Sequence, residues 1–112
     1  MLHRSLAAAE MLESEGISCE VVDLRCLAPL DTDTIFSSLA KTGKAMIVDE
    51  SPIRGGWGGE VAATIAGDAF DLLKAPVKRV AAPNTPVPFA PVMETLYVPS
   101  TERIAQAVRE MV

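Results

Sequence analysis

The chain has 112 residues, enough for one domain with a single core but too few for two. Its formal net charge is −5 and its basic residues are scattered, so the clustered basic face that nucleic-acid binding requires is absent. Its apolar stretches are shorter than the roughly 18 residues of a membrane span, and residues 1–15 lack a signal-peptide core. We therefore expect neither nucleic acid nor a membrane as partner, and a location in the cytoplasm or an organelle matrix.

The first part of the chain predicts a helix, a strand and a second helix. Residues 2–15 place apolar side chains at helical spacing, and a glycine supplies the stop. The stretch from Ile17 to Leu24 is rich in β-branched residues and predicts a strand. Asp31 is well placed as the N-cap of a helix that runs from Thr32 to about Lys41, and Thr42-Gly43 ends that helix.

The middle of the chain predicts two more strands around a long helix. A short apolar run from Lys44 to Val48 ends at the acidic pair Asp49-Glu50, and a loop from Ser51 to Gly59 follows. The longest helix is expected from near Glu60 to Leu73, with an apolar stripe so broad that it should be covered on more than one side. Val77 to Val80 then predicts a third strand.

A proline-rich segment precedes the last helix. The five prolines between Pro83 and Pro99 exclude a regular helix or a central strand. We therefore predict an extended connector that crosses the surface and is pinned by Phe89, Leu96 and Tyr97. After it, Ser100 or the following threonine should cap a final helix.

The alternation of helices and strands predicts an α/β domain with three layers, αβα, and a small, largely parallel sheet joined by right-handed crossovers. A doubly wound domain normally begins with a strand, whereas this chain opens with a helix. We therefore expect that the first strand is missing from this chain and that it lies upstream or comes from a partner. An incomplete sheet with a broad apolar helix also predicts self-association, for which strand exchange is one route.

The glycine loop at residues 55–60, GGWGGE, is the feature most suggestive of ligand binding. It matches neither the dinucleotide fingerprint nor the phosphate-binding P-loop, and Glu60 at the helix start would repel an anion. Close helix packing or a contact with a partner fits the loop better. Trp57, flanked by glycines, is expected to be partly exposed, and both an interface role and simple packing fit it.

The titratable and nucleophilic residues form no recognisable constellation. Asp49 and Glu50 are adjacent in a strand and so point to opposite faces, which leaves capping and loop hydrogen bonds as the better interpretation. His3 has no nucleophile beside it and is expected on the surface. Cys19 and Cys26 fit neither a zinc site nor a disulfide framework, so we predict buried or half-buried thiols. No catalytic, cofactor-binding or metal-binding residue is predicted.

As a whole, the sequence resembles the C-terminal domain of the beta subunit of thiamine diphosphate-dependent 2-oxo acid and acetoin dehydrogenases. The resemblance runs from about Ala8 to Val108 and follows the family's order of motifs. Its most recognisable segment is EVVDLRCLAPLD at residues 20–31, and further motifs are GGEVAA at 58–63 and PNTPVPFAP at 83–91. Transketolase and deoxyxylulose-phosphate synthase share the domain type, but the resemblance to them is looser.

The resemblance implies that residues 1–112 are one transketolase C-terminal-like domain of a longer beta subunit, with a role in assembly. In the family, thiamine diphosphate and magnesium lie between the alpha subunit and the N-terminal domain of the beta subunit, so this chain is expected to bind neither. The holoenzyme decarboxylates a 2-oxo acid, or cleaves acetoin, and passes the acyl group to a lipoyl group. The alternative is a stand-alone small α/β module for ligand binding or regulation.

The expected partners are the alpha subunit and a second beta subunit of an α2β2 tetramer, together with the lipoyl acyltransferase core. Family members often carry an acidic residue immediately before Ala-Pro, suited to pair with a basic group of the acyltransferase. Here that residue is Lys74, and the reversed charge would turn attraction into repulsion. Asp68, Asp71 and Glu102 are possible substitutes. The interface candidates are Trp57, Glu60, Phe70, Lys74, Asp68, Asp71 and Glu102.

Overall fold

The computed structural model describes all 112 residues, Met1–Val112. In chain order its elements are α1 Leu2–Glu13, α2 Thr32–Thr42, β1 Met46–Pro52, α3 Trp57–Asp68, a 3-10 turn Phe70–Leu72, β2 Lys78–Ala82, α4 Pro91–Tyr97 and α5 Thr101–Arg109. β1 and β2 form a parallel two-stranded sheet in which Met46 lies opposite Lys78 and Val48 opposite Val80. None of the helices has the length and apolar composition needed to cross a membrane.

The sheet separates two apolar clusters. The first joins α1, β2 and α5 through Ala8, Leu12, Val80, Ile104, Ala105 and Ala107. The second joins α2, β1 and the α3 region through Ile35, Leu39, Ile47, Val61, Ile65 and Ala69. Along β1, Met46 and Val48 pack against the first cluster and Ile47 belongs to the second, as the alternation of a strand requires. The predicted α/β fold with a small parallel sheet is confirmed, although the sheet has two strands and not three.

Local capping explains the limits of α2. The backbone N–H of Thr34 donates to Asp31 Oδ1 at 3.0 Å, and the hydroxyl of the same threonine donates to Asp31 Oδ2 at 2.6 Å. These two bonds hold the pKa of Asp31 below its usual range. At the other end, Gly43 adopts φ 70°, the left-handed conformation that glycine tolerates best. The predicted N-cap and glycine stop of this helix are therefore confirmed.

The strand predicted over residues 17–24 is wrong, because this segment belongs to no sheet. Residues 18–23 make no hydrogen bonds to other backbone groups. Their side chains nevertheless alternate, since Cys19 packs against the first cluster while Val22 and Leu24 pack against the second. The segment is extended and lies between the helical layers as a strand would, but nothing lies beside it with which to pair.

The glycine-rich loop is shorter than predicted, because α3 begins at Trp57 and not near Glu60. Gly58 and Gly59 lie in its first turn. A Cβ atom on Gly58 would lie 3.1 Å from Ile47 Cγ2, so this glycine allows the helix to approach the strand closely. Other boundaries shift by a few residues: α1 ends at Glu13 and not at residue 15, β1 runs on to Pro52 past the acidic pair, and α3 ends at Asp68 and not at Leu73.

The proline-rich segment contains the short helix α4, which the sequence argument excluded. That prediction is wrong because Pro91 occupies the first turn of the helix, where the missing N–H costs nothing. Tyr97 is buried, as expected, and its hydroxyl donates to the carbonyl oxygen of Thr85 at 3.2 Å. Phe89 and Leu96 were expected to pin the segment, but both are exposed. Tyr97 is therefore the residue that anchors it.

Candidate functional site

A wide groove of about 1120 Å³ lies between the two helical layers and is lined mainly by apolar side chains. One wall is the edge of β1 from Met46 to Val48, and the opposite wall is the extended segment 17–25. β1 pairs with β2 along only one edge, and residues 18–23 have no backbone partner. Both walls therefore present free backbone N–H and C=O groups. The groove has the lining and the hydrogen-bonding groups of a site for one extended polypeptide.

A smaller, more polar cleft of about 390 Å³ lies beside the start of α1, and His3, Arg4, Glu50 and Glu94 line it. The Arg4 guanidinium donates to the two carbonyl oxygens that follow α4, at 3.3 and 2.8 Å, and so ties α1 to this region. His3 is exposed, as predicted, and no serine or cysteine lines the cleft with it. Thr95 also lines the cleft, but its hydroxyl donates to the carbonyl oxygen of Pro91 at 2.9 Å within α4 and makes no hydrogen bond to His3.

The acidic pair divides between the interior and the surface, as the strand alternation predicts. Asp49 is 3% exposed, and its carboxylate accepts hydrogen bonds from the Ser51 backbone N–H at 2.9 Å and the Ser51 hydroxyl at 2.5 Å. A Cβ atom on Gly56, the N-cap of α3, would lie only 3.0 Å from Asp49 Oδ2. The positive end of α3 thus faces one buried carboxylate and carries Glu60 in its first turn. This arrangement suits a structural turn and does not suit a bound anion.

The structure shows no clustered ligands for a metal ion. No three histidine, cysteine, aspartate or glutamate side chains lie close enough together to hold one. The start of α3, which follows the glycine loop, also carries Glu60, and a negative charge there disfavours a bound diphosphate.

The two cysteines differ in their surroundings. Cys19 is half-buried, as predicted, and burial raises the pKa of its thiol. Cys26 was predicted to be buried or half-buried, and this is wrong because it is exposed. It follows the unpaired segment that forms one wall of the groove, where no neighbouring strand covers the chain.

The seven interface candidates do not form one site. Trp57 and Glu60 lie at the start of α3, where Trp57 is half-buried against the second cluster and also lines the groove. Around the far end of α3 and the 3-10 turn, four candidates are exposed: Asp68, Phe70, Asp71 and Lys74. These four lie within seven consecutive residues, so they present a contiguous stretch of surface. Phe70 is the apolar member of this stretch, with 69% of its surface exposed.

Lys74 is held against the end of α2. Its backbone N–H donates to the carbonyl oxygen of Gly43 at 2.7 Å. A Cβ atom on Gly43 would lie 2.6 Å from Lys74 Cδ, so the aliphatic part of the lysine crosses directly over this glycine. The ammonium group takes part in none of the four ion pairs of the structure. It is therefore available to a partner.

Glu102 is exposed and stands apart from the other candidates, in the first turn of α5. Hydrogen bonds from its own backbone N–H and from the Ser100 hydroxyl, with a contribution from the Arg4 charge, hold its pKa below the usual range. Its surroundings are those of a carboxylate at a helix start, where the helix dipole favours negative charge. It belongs to the α1–α5 layer, on the other side of the sheet from Lys74.

Sequence reasoning missed an exposed apolar surface on and before α4. Phe89, Val92, Met93 and Leu96 are all exposed. Val92, Met93 and Leu96 follow Phe89 by three, four and seven residues, a spacing that is typical of apolar side chains on one side of a helix. The proline content of the segment concealed that signal.

Comparison with known proteins gives a family match and many close relatives. The family model described as the C-terminal domain of transketolase matches residues 1–104. The chain is 47% identical over 110 residues to the beta subunit of acetoin:2,6-dichlorophenolindophenol oxidoreductase from Cupriavidus necator, which is 98% of this chain and 32% of the relative. It is 45% identical over 111 residues to the pyruvate dehydrogenase E1 component subunit beta from Bacillus subtilis, covering 99% of this chain and 34% of the relative.

A relative from a plant is equally similar. The chain is 45% identical over 100 residues to the mitochondrial 2-oxoisovalerate dehydrogenase subunit beta 2 from Arabidopsis thaliana, covering 89% of this chain and 27% of the relative. The chain thus spans about a third of the length of the curated relatives that it matches. The family match, the identities and the α/β fold agree with one another, and the chain belongs to the family of transketolase C-terminal domains.

Proposed function

We propose that this chain acts as an assembly domain of the beta subunit of a thiamine diphosphate-dependent 2-oxo acid or acetoin dehydrogenase. The names of its relatives, all beta subunits of such dehydrogenases or of an acetoin oxidoreductase, support this. The proposed partners are an alpha subunit and a second beta subunit in an α2β2 tetramer. Thiamine diphosphate and magnesium would be held by the alpha subunit and the rest of the beta subunit. The proposed location is the bacterial cytoplasm or an organelle matrix.

The groove is the observation that supports this proposal, because both of its walls have unpaired backbone groups that one added strand could pair with. Cys19, Val22 and Leu24 already alternate between the two apolar clusters on one wall, and β1 alternates in the same way on the other. An added strand would pair with both walls and cover apolar groups on both faces. We propose that the rest of a longer beta subunit supplies this strand. A stand-alone ligand-binding module would leave the free backbone groups of both walls without partners.

The position of Met1 supports a strand that runs parallel to β1. Met1 lines both the groove and the small cleft that contains Glu50, close to the carboxyl end of β1. A strand that leads into α1 would therefore leave the groove at the carboxyl end of the sheet. From there, α1 would form a right-handed crossover to the segment 17–24, as parallel strands require.

Hydrogen exchange tests this proposal. The chain alone is compared with the chain joined to the preceding two thirds of the Bacillus subtilis pyruvate dehydrogenase beta subunit. We expect the amides of residues 18–24 to exchange quickly in the first protein and at least about 100-fold more slowly in the second, because paired backbone groups must open before they exchange. The loop Pro83–Val87 serves as control and should not change. Equal exchange of residues 18–24 in both proteins would refute the added strand.

We also propose a contact with the lipoyl acyltransferase, which Lys74 would weaken because it places a positive charge where the resemblance to the family predicts an acidic residue. We predict that Lys74→Glu raises the affinity for the acyltransferase by about three- to tenfold at low salt, and less as salt increases, because it removes a like-charge repulsion. Arg54→Glu makes the same charge change in an exposed loop at the opposite end of the sheet. Equal effects of the two variants in a binding titration would show that Lys74 takes no part.

A further inference from the structure

Arg25 has a backbone conformation that its residue type tolerates poorly. Its φ is 58°, and every other residue of the chain with a positive φ is a glycine. The backbone N–H of Cys26 donates to the carbonyl oxygen of Leu24, so Arg25 is the central residue of a three-residue turn. Such a turn with positive φ is rare and strained, because the Cβ of an L-residue crowds the neighbouring carbonyl group. The conformation persists only where other contacts of the residue offset its cost.

The contacts of Arg25 within the chain offset little of this cost. Its side chain is 83% exposed, and its one partner is Asp23, whose carboxylate accepts from Nε at 2.6 Å. An ion pair so open to solvent contributes little, because water screens the charges and both side chains lose freedom. Residues 26–29 are exposed as well, so none of them is packed in the core. A glycine would form the same turn without strain, which indicates that the arginine side chain acts on something outside the chain.

Asp23 fixes the direction of the guanidinium and leaves most of its donors unused. An arginine presents five N–H donors in a planar fork. Only Nε is bonded here, and the two terminal nitrogens make no hydrogen bond within the chain. A carboxylate can accept two parallel hydrogen bonds from those two nitrogens. Because the guanidinium is already oriented, it loses less freedom when such a partner binds.

Arg25 lies at one end of the groove, where a partner can reach it. Arg25 and Leu27 both line the groove, and Leu27 is 51% exposed. The segment 17–24 runs parallel to β1 in the proposed sheet, so Arg25 follows its carboxyl end, the edge at which α/β domains place binding groups. Arginine is also among the residue types that most often dominate contacts between proteins.

We propose that Arg25 binds a carboxylate of a neighbouring polypeptide, either the rest of the beta subunit or the alpha subunit. A carboxylate fits better than a phosphate, because Arg25 is the only basic residue between positions 17 and 40 and shares that stretch with four acidic residues. A phosphate group carries more negative charge and would be repelled more strongly. This proposal rests on the assembly role proposed above and names one residue that performs it.

The melting midpoints of the chain alone and of the assembled complex test the contact. The complex contains the chain joined to the preceding two thirds of the Bacillus subtilis beta subunit, together with the matching alpha subunit. In the chain alone, Arg25→Gly should leave the midpoint unchanged or raise it by up to about 5 °C, because it relieves the strain. In the complex, it should lower the midpoint by at least about 3 °C, because an interface contact is lost. Arg54→Gly, at another exposed arginine, is the control and should change both midpoints equally.

Chemical coupling identifies the carboxylate. Asp23→Asn removes the internal partner, and Arg25→Lys then supplies an amine that a water-soluble carbodiimide joins to a nearby carboxylate as an amide. We expect mass spectrometry of the treated complex to show this position joined to an acidic residue outside residues 1–112, and the joined peptide tells whether the alpha or the beta subunit provides it. Asp23→Asn alone is the control, because a guanidinium does not couple.

Equal effects of Arg25→Gly on the chain and on the complex, or coupling only within residues 1–112, would overturn the contact. A weaker affinity for thiamine diphosphate with an unchanged complex would overturn it in favour of a phosphate. These outcomes differ from a failure of the proposed function. If the unsubstituted complex does not form, both fail, whereas a complex that forms and is indifferent to Arg25→Gly overturns the contact alone.

Discussion

Replacement of Ile104 by alanine is expected to lower the free energy of unfolding by about 2–5 kcal/mol. Ile104 is 2% exposed and lies in the first apolar cluster, where it meets Leu12 and Val80. Its loss leaves a cavity where α1, α5 and β2 come together. Domains of this size are stable by only about 5–15 kcal/mol, so the change removes a large share of the total.

Urea unfolding followed by circular dichroism measures this effect. Gln106→Ala, an exposed position on the same helix, is the control and should change the stability by less than about 0.5 kcal/mol. A loss below about 1 kcal/mol for Ile104→Ala would mean that α5 is not stably packed against α1 and β2, because such small effects are typical of exposed positions.

Gly56→Ala is expected to destabilise the fold by about 1–3 kcal/mol through overpacking. A Cβ atom at this position would lie 2.6 Å from Ser51 Oγ and 2.7 Å from the carbonyl oxygen of Pro52. The serine side chain can rotate away, but the carbonyl belongs to the backbone of β1 and cannot. The variant should therefore push the start of α3 away from the strand and disturb the hydrogen bonds of Asp49.

Gly67→Ala is the matched control, because Gly67 lies in α3 at a position with space for a Cβ atom. No atom lies within 4 Å of a Cβ at Gly67, so alanine there meets no obstacle. We expect it to leave the stability unchanged or to raise it by up to about 1 kcal/mol, because alanine is the better helix former. Thermal or urea unfolding of both variants measures the two changes in stability. Equal changes would show that the space around Gly56 does not exclude a Cβ atom.

The sequence predicted best those features that depend on a few neighbouring residues. The cap at Asp31 and the left-handed Gly43 set the ends of α2, and both can be identified from residues next to one another in the chain. The same is true of Ser100, which caps α5 by accepting from the Arg103 backbone N–H at 3.1 Å. The alternation of predicted helices and strands likewise indicated the parallel α/β arrangement.

Features that depend on distant groups could not be predicted in the same way. The segment 17–24 has the composition of a strand, but pairing requires a neighbour that the local sequence does not contain. The start of α3 depends on how closely Gly58 approaches Ile47, which only the packed fold reveals. Pro91 favours the first turn of a helix as much as it disfavours the interior, so its effect depends on where the helix begins.

The sequence analysis predicted no catalytic residue, from the scarcity and spacing of histidine, cysteine and acidic residues, and this stays a prediction. The groove and the exposed apolar surface of α4 could not be predicted, because the first is formed by segments that are far apart in the chain and the second lies on a helix that the sequence analysis excluded. The roles of Trp57, Phe70 and Lys74 at interfaces stay predictions.

The proposed role of this chain as a domain of a dehydrogenase beta subunit is tested most directly by an activity assay. The assay follows the thiamine diphosphate-dependent reduction of 2,6-dichlorophenolindophenol with pyruvate, 2-oxoisovalerate or acetoin as substrate. The chain alone should give no turnover, because the cofactor is proposed to be held by the alpha subunit and the rest of the beta subunit. Joined to the preceding two thirds of the Bacillus subtilis beta subunit and mixed with the matching alpha subunit, it should support turnover. Turnover by the chain alone, or an assembled enzyme that remains inactive, would contradict the account.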